Sequence, residues 1–186
     1  ACDDASSEVA CDDASGTVAG SSRLRAILDP GDYRVIVDRY ATGSLAGTYH
    51  LSLRTFAAVP GARCAEPITL PPNTDVTGDT SGAVTRAAPC SGGTAPQIFY
   101  RLTIPARTRA NFSLRATGSQ GSSYAVFDGC ADTLCARSGI SVGRAGFLGN
   151  DTDVPRDVLV GVSSQSASAA AAYTLRVDLV PLSPNT

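Results

Sequence analysis

The chain has 186 residues, enough for one large domain or two small ones, and its 43% hydrophobic content excludes a disordered polypeptide. A net charge of −2 argues against a nucleic-acid partner, which would require a basic face. No apolar run approaches the roughly 18 residues that cross a bilayer as a helix, so we expect no membrane span.

Short segments of alternating apolar and polar residues recur along the chain, separated by turn clusters rich in Gly, Pro, Asp and Ser. In chain order the predicted strands cover residues 34–38, 48–53, 98–104, 111–116, 124–128, 158–162 and 173–177. We interpret residues 163–172 as a loop despite their alanines, because serines begin the segment and predicted strands flank it. Many short strands with turns between them predict an all-β fold, an antiparallel β-sandwich.

Six cysteines indicate how the fold is stabilised and where the protein works: Cys2, Cys11, Cys64, Cys90, Cys130 and Cys135. An even number in a chain without lysine and rich in Ser, Thr and Gly predicts disulfides and a secreted or cell-surface protein. Closeness in sequence favours the pairs Cys2–Cys11, Cys64–Cys90 and Cys130–Cys135. The alternative is a zinc site, which needs closely spaced cysteines or histidine ligands, and His50 is the only histidine. We therefore favour disulfides.

The two ends of the chain match each other. Residues 30–38 align with residues 155–163, and both segments begin Pro-x-Asp and continue into an apolar strand. Residues 49–53 align with residues 173–177, and Cys11 and Cys135 each lie 13 positions before a leucine, Leu24 or Leu148. The match predicts a tandem repeat.

The first copy of this repeat is shorter than the second. About 65 residues, Cys64 to Asp128, precede the close cysteine pair of the second copy, whereas only Ala1 precedes that of the first. We expect the C-terminal half of a sandwich at 1–56, a linker at 57–63, a complete sandwich at 64–180 and a tail at 181–186.

A half-sandwich leaves an apolar face and open strand edges, which favour pairing with other strands. A bound upstream fragment, strands from a neighbouring copy, or packing on the second unit would each cover it, and we expect the cover to come from another chain. The chain has no methionine, and we expect a segment upstream of Ala1 to have been removed.

Residues 11–13 (CDD), 28–33 (LDPGDY), 35–38 (VIVD) and 47–51 (GTYHL) together resemble the bacterial pre-peptidase C-terminal domain. Residues 76–80 and 98–100 resemble further strands of that family, whereas Pro155, Arg156 and Asp157 replace its PGTY core in the second copy. The resemblance implies secreted, jelly-roll-like sandwich modules attached to bacterial peptidases and surface proteins. Such modules are usually not catalytic, and some bind calcium or aid substrate attachment.

Two acidic clusters are candidates for calcium, which prefers carboxylate and carbonyl oxygens. The stronger cluster contains Asp3, Asp4, Asp12 and Asp13, because a Cys2–Cys11 bridge would hold the two aspartate pairs together. The weaker cluster contains Asn150, Asp151, Asp153 and Asp157. The alternative for both is a solvated acidic loop with Asx turns. Since Ala136 and Arg137 follow Cys135 in place of an aspartate pair, we expect any calcium in the first unit only.

The inventory of catalytic groups argues against an enzyme. A Ser-His-Asp or Cys-His site needs a histidine, and His50 is expected to face solvent because it alternates with Tyr49 and Leu51. Oxidised cysteines supply no thiolate. We therefore predict a non-catalytic structural or adhesive protein that assembles with another chain by strand complementation. The alternative is an accessory substrate-binding module released from a secreted bacterial peptidase.

Overall fold

The computed structural model describes residues 10–11, 21–24, 26–29, 31–37, 48–83, 85–87, 94–130, 137–140, 146–166 and 169–183. Two compact units divide the chain, Ala1–Ala57 and Ala58–Thr186. No described residue lies in a helix, which confirms the all-β class. Within these ranges no helix has the length and apolarity needed to cross a bilayer.

Ten strands form the second unit among the described residues. They are β1 (Ile68–Thr69), β2 (Asp75–Asp79), β3 (Thr85–Ala87), β4 (Thr94–Ile104), β5 (Thr108–Ala116), β6 (Ser122–Phe127), β7 (Arg137–Ile140), β8 (Gly146–Asn150), β9 (Arg156–Ser164) and β10 (Ala172–Pro181). All five strands predicted in this part of the chain are present, as β4, β5, β6, β9 and β10. The resemblance at residues 76–80 indicated β2, and the four short strands β1, β3, β7 and β8 were not predicted.

The strands form two sheets. Sheet A has the order β1-β4-β9-β6-β7, with β3 paired to the first residues of β4, and sheet B has the order β2-β10-β5-β8. Only the short β1–β4 pairing is parallel. β9 lies between β4 and β6, and β10 lies between β2 and β5, so each of these two strands has a hydrogen-bonded neighbour on both sides.

One hydrophobic core joins the two sheets. Alternate residues of every long strand point into it, as a strand with one buried face requires. Large contributions come from Tyr100 and Leu102 of sheet A and from Phe112, Tyr173 and Leu175 of sheet B, which are at most 2% exposed. Burying an apolar side chain of this size stabilises the fold by about 1.5–3 kcal/mol. Two sheets around a shared core are compatible with a β-sandwich.

A pair of tyrosine hydroxyls lies inside this core. Tyr100 Oη of sheet A and Tyr173 Oη of sheet B are 2.9 Å apart and hydrogen-bonded, so neither buried hydroxyl is left without a partner. Burial raises the pKa of both groups above the ordinary tyrosine value, and both stay protonated at neutral pH. Gly78 makes room for this pair, because a Cβ at that position would come within 2.5 Å of the Tyr173 ring.

The disulfide of the second unit differs from the predicted pairings. Cys64 is bonded to Cys130, 66 residues along the chain, so the predicted pairs Cys64–Cys90 and Cys130–Cys135 are wrong. The reason is that β4, β9 and β6 are neighbours: the segment before β1 runs beside β4, and Cys130 follows β6. Nearness in sequence does not measure nearness across such a sheet. Cys11 is also disulfide-bonded, whereas Cys2, Cys90 and Cys135 lie outside the described residues.

The disulfide covers a second apolar cluster on the outer face of sheet A. Cys64 packs there with Phe99, Phe127 and Leu159, and the two phenylalanine rings meet edge to face with centroids 6.1 Å apart. These strand residues alternate with those of the main core, so they point to the opposite side of the sheet.

The segment 57–63, predicted as a linker, is part of the second unit from Ala58 onward. Ala62 is 1% exposed, and Val59 packs against the main core. Gly61 accepts a hydrogen bond from the Phe99 amide at 2.7 Å. Its φ of 71° and its contact with β4 both require glycine, because a Cβ there would lie 2.8 Å from the Phe99 carbonyl oxygen.

The first unit has no strand among its described residues. Residues 31–37 and 48–57 are exposed and irregular, so the strands predicted at 34–38 and 48–53 are wrong for the described part of those ranges. A strand is stable when neighbouring strands satisfy its backbone and a second layer covers its apolar face. Neither neighbour nor cover is present among the described residues of this unit.

Candidate functional site

The aspartates of the stronger predicted calcium site, Asp3, Asp4, Asp12 and Asp13, lie outside the described residues. Calcium binding by the first unit therefore stays a prediction. Among the described residues, no group of three or more His, Cys, Asp or Glu side chains is placed to hold a metal ion.

Asn150 belongs to the weaker predicted calcium cluster and has a different role. It is 2% exposed, and its Nδ2 donates to the carbonyl oxygens of Ile104, Pro105 and Val154 at 2.8–3.0 Å. Its Oδ1 accepts from the Thr152 hydroxyl at 2.7 Å and from the Thr152 amide at 3.3 Å. These bonds fasten the β8–β9 turn to the end of β4, so the side chain serves the fold.

Two carboxylates of the same cluster are also engaged by neighbouring side chains. Arg107 Nε donates to Asp153 Oδ1 at 2.8 Å, and this guanidinium holds the pKa of the Asp153 carboxyl below its usual range. Thr103 Oγ1 donates to Asp157 Oδ1 at 2.5 Å. The two aspartates therefore tie separate parts of the surface together instead of converging on one point.

His50, the only histidine, is exposed, and its neighbours Tyr49 and Leu51 are exposed as well. No described residue forms a hydrogen bond to its imidazole ring. A general base acts within hydrogen-bond reach of the group that it deprotonates and is held there by a third residue. The described surroundings of His50 supply neither group.

An open cleft of about 410 Å³ lies beside the Cys64–Cys130 disulfide in the second unit. Leu159 lines it together with three charged residues, Arg101, Asp128 and Asp157. Sequence reasoning missed this cleft, because its residues come from β4, β9, the segment before β1 and the segment after β6, which meet only through sheet pairing and the disulfide.

Both aspartates that line this cleft are bonded to neighbouring side chains, whereas its arginine has no ion-pair partner among the described residues. Arg156 donates to both carboxylate oxygens of Asp128, with Nη2–O distances of 2.6 and 2.9 Å, and Asp157 is held by Thr103. The Arg101 side chain is exposed, and no described residue forms an ion pair with it. The lining holds no serine, histidine or free thiol, so it offers no nucleophile with an adjacent base.

The second candidate site is the apolar surface of the first unit. Six of its side chains occupy repeat positions whose counterparts fill the core of the second unit. They are 44–75% exposed, whereas the counterparts are at most 1% exposed. The pairs are Tyr33 with Val158, Val35 with Val160, Val37 with Val162, Tyr49 with Tyr173, Leu51 with Leu175, and Leu53 with Val177.

The described first-unit side chains are therefore exposed at the positions that the sequence aligns with core residues of the second unit. Exposed large apolar groups that are clustered in sequence mark interaction sites in soluble proteins. Leu24, the counterpart of the partly buried core residue Leu148, is likewise 54% exposed. We call residues 31–37 and 48–53 the open strands, although neither has strand structure, because the sequence aligns them with the paired strands β9 and β10.

No protein-family model matches this chain, and no curated protein matches it. The resemblance to the pre-peptidase C-terminal domain therefore stays a prediction. The comparison between the two units of the chain provides the reference for the function proposed below.

Proposed function

We propose that this chain is a non-catalytic structural or adhesive module of an exported protein, and that strands of another chain complete its first unit. The observation that carries the proposal is the exposure of the open strands at positions that are buried in the second unit. The internal repeat and the pre-peptidase resemblance support the view that both units follow one jelly-roll-like plan.

The strand order of the second unit indicates which strands would pair with the open strands of the first unit. The counterpart of residues 31–37 is β9, which pairs with β4 and β6, and the counterpart of residues 48–53 is β10, which pairs with β2 and β5. By this comparison each open strand corresponds to a central strand, and neither neighbour is found among the described residues of the first unit. Strand addition supplies backbone hydrogen bonds and an apolar cover together, which is how such edges are completed between chains.

Two further features support an exported, non-catalytic role. Disulfides such as Cys64–Cys130 persist in oxidising compartments and are rare in the cytosol. The cleft beside that disulfide and the surroundings of His50 lack a nucleophile with a base among the described residues. A structural or adhesive role requires neither a nucleophile nor a base.

A second candidate function is that of an accessory substrate-binding module of a secreted bacterial peptidase. The observation that favours it is the cleft beside Cys64–Cys130, where Arg101 presents a guanidinium to solvent. A guanidinium in a concave site recognises carboxylates and other planar anions. Binding of an acidic peptide to the wild-type chain, and loss of that binding in the Arg101→Gln variant, would favour this function.

Light scattering after size-exclusion chromatography tests the proposal on the full chain. Because open strands pair with one another when their natural partner is absent, we expect concentration-dependent association of the purified protein. Leu51→Asp places a charge on the apolar face and is expected to reduce association at least about threefold.

His50→Asp is the matched control for this experiment. It adds the same charge at the neighbouring position, whose counterpart Thr174 faces away from the core, so we expect association to persist. A monomer at every concentration, with a first unit that unfolds cooperatively, would contradict the proposal.

A further inference from the structure

We infer that the cleft beside the Cys64–Cys130 disulfide binds the free carboxyl end of a peptide, with Arg101 bonded to the terminal carboxylate. The inference rests on the second candidate function and specifies which group of a peptide the cleft recognises. The cleft lies within the second unit, so this binding does not depend on how the first unit is completed.

Arg101 supplies the positive charge of this site. It lies on β4 and points to the outer face of sheet A, because it alternates with Tyr100 and Leu102 of the main core. Its side chain is exposed and forms no ion pair or hydrogen bond with any described residue. A guanidinium presents its N–H donors in one plane, and two of them match the two oxygens of a carboxylate. The free guanidinium therefore favours a carboxylate ligand.

Asp157 is a diagonal neighbour of Arg101 on the outer face of sheet A. The register places Arg101 opposite Leu159 and Thr103 opposite Asp157. Diagonal neighbours in such a strand pair lie about 7–8 Å apart, within reach of a long side chain. Asp157 instead accepts a hydrogen bond from Thr103 Oγ1 at 2.5 Å. Thr103 is thus a positioning residue, which holds this carboxylate and leaves the guanidinium available to a ligand.

Asp128, a second carboxylate of the lining, is engaged by Arg156. Nη2 of Arg156 donates to both carboxylate oxygens at 2.6 and 2.9 Å, and Nε donates to Oδ1 at 3.0 Å. Arg101 therefore offers positive charge to a ligand, whereas Asp128 and Asp157 repel further negative charge. A ligand with one carboxylate fits this lining better than a peptide with several acidic residues.

The apolar part of the cleft lies directly beside Arg101. Leu159 faces Arg101 across the strand pair, and directly opposed side chains have Cβ atoms about 4.5–5.5 Å apart. Ala65 and the Cys64–Cys130 disulfide continue the apolar lining. The last residue of a peptide carries its carboxylate and its side chain on the same carbon atom. An apolar last residue therefore presents the two groups to Arg101 and Leu159 together.

This arrangement distinguishes a chain end from an acidic residue within a peptide. An internal aspartate or glutamate carries its carboxylate on its own side chain, so the apolar group has to come from a neighbouring residue. Hydrolysis of a peptide bond creates a free carboxyl end. The cleft is therefore suited to the products of a peptidase.

Calorimetric titration of the full chain with three N-acetylated peptides tests this inference. The first is Ala-Ala-Leu with a free carboxyl end, the second is the same peptide with a C-terminal amide, and the third is Glu-Ala-Leu with a C-terminal amide. We expect the first peptide to bind about tenfold more tightly than the second, because the amide leaves the guanidinium without a charged partner. The third peptide is expected to bind about fivefold more weakly than the first.

Two arginine variants of the full chain locate the effect. In Arg101→Gln, the preference for the free carboxyl end over the amide is expected to disappear. Arg109→Gln is the matched control, because Arg109 is an exposed arginine of sheet B that contacts Phe147, away from the cleft. This variant is expected to keep the full preference. Since both arginines are exposed, circular dichroism is expected to show the same fold in both variants.

Thr103→Val tests the positioning role of Thr103. The variant frees Asp157 to pair with Arg101, so we expect the free-carboxyl peptide to bind about fivefold more weakly. Adding Asp157→Asn removes the competing carboxylate and is expected to restore at least the wild-type affinity. Unchanged affinity in Thr103→Val, or a double variant as weak as the single one, would overturn this role.

The remaining outcomes separate the inference from the functions proposed above. Equal binding of the acid and its amide, or a preference that survives Arg101→Gln, overturns recognition of the carboxyl end. Tighter binding of the glutamate peptide also overturns it, but leaves the second candidate function standing. Binding of none of the three peptides at millimolar concentration overturns both. The structural or adhesive function is tested separately, by the association of the full chain.

Discussion

Replacing Leu175 by alanine is expected to lower the free energy of unfolding of the second unit by about 3 kcal/mol, within the range measured for buried leucines. Replacing its counterpart Leu51 is expected to change stability by less than about 0.5 kcal/mol, as at other solvated positions. The same substitution at equivalent repeat positions gives different results because Leu175 is completely buried, whereas Leu51 is 55% exposed.

Urea denaturation followed by circular dichroism measures both changes. Thr174→Ala and His50→Ala are the matched controls at the neighbouring outward positions, and both are expected to be nearly neutral. A loss at Leu51 as large as that at Leu175 would show that the first unit already has a packed core.

The second large effect is expected at the disulfide. Replacing both Cys64 and Cys130 by alanine is expected to destabilise the second unit by about 4 kcal/mol, because the crosslink closes a loop of 66 residues and so restricts the unfolded chain. Part of the loss also arises in the apolar cluster that Cys64 forms with Phe99 and Leu159.

Non-reducing peptide mapping gives the independent check on the pairing. It is expected to recover a peptide in which Cys64 is linked to Cys130. A peptide linking Cys64 to Cys90, or a double variant as stable as the wild type, would contradict the assigned bridge and the strand arrangement that brings the two cysteines together.

The sequence was sufficient to predict the long strands of the second unit. Residues such as Phe112 and Leu114 of β5, or Tyr173 and Leu175 of β10, alternate with polar neighbours, because one face of sheet B is buried in the main core. The short strands were missed because two to five residues, as in β1 or β8, show too little periodicity to be distinguished from loops.

The alternation of apolar and polar residues does not show which distant parts of the chain pair with each other. Closeness in sequence favoured Cys64–Cys90, whereas the bond to Cys130 depends on β9 lying between β4 and β6. The same non-local pairing creates the cleft that contains Arg101 and Asp157. Neither the Cys64–Cys130 bond nor the cleft can be recognised from residues that are close together in the sequence.

The open strands show a different limit of sequence reasoning. Their alternation is as clear as that of β9 and β10, so it predicted strands at both segments. A pattern identifies what a strand would bury, but strand formation also requires neighbours. In the described residues, Val35 and Leu51 lack such neighbours, so the predicted strands are absent.

Hydrogen exchange on the full chain most directly tests the proposal that the first unit is incomplete, by comparing amides of residues 49–53 with those of residues 173–177, with which they align. The counterparts are paired on both sides in sheet B, so their exchange is expected to require global unfolding and to be slowed at least about a thousandfold. In the purified, dilute chain, residues 49–53 are expected to exchange at nearly the rate of an unstructured peptide. Equal protection of the two segments under those conditions would contradict the need for a strand-donating partner.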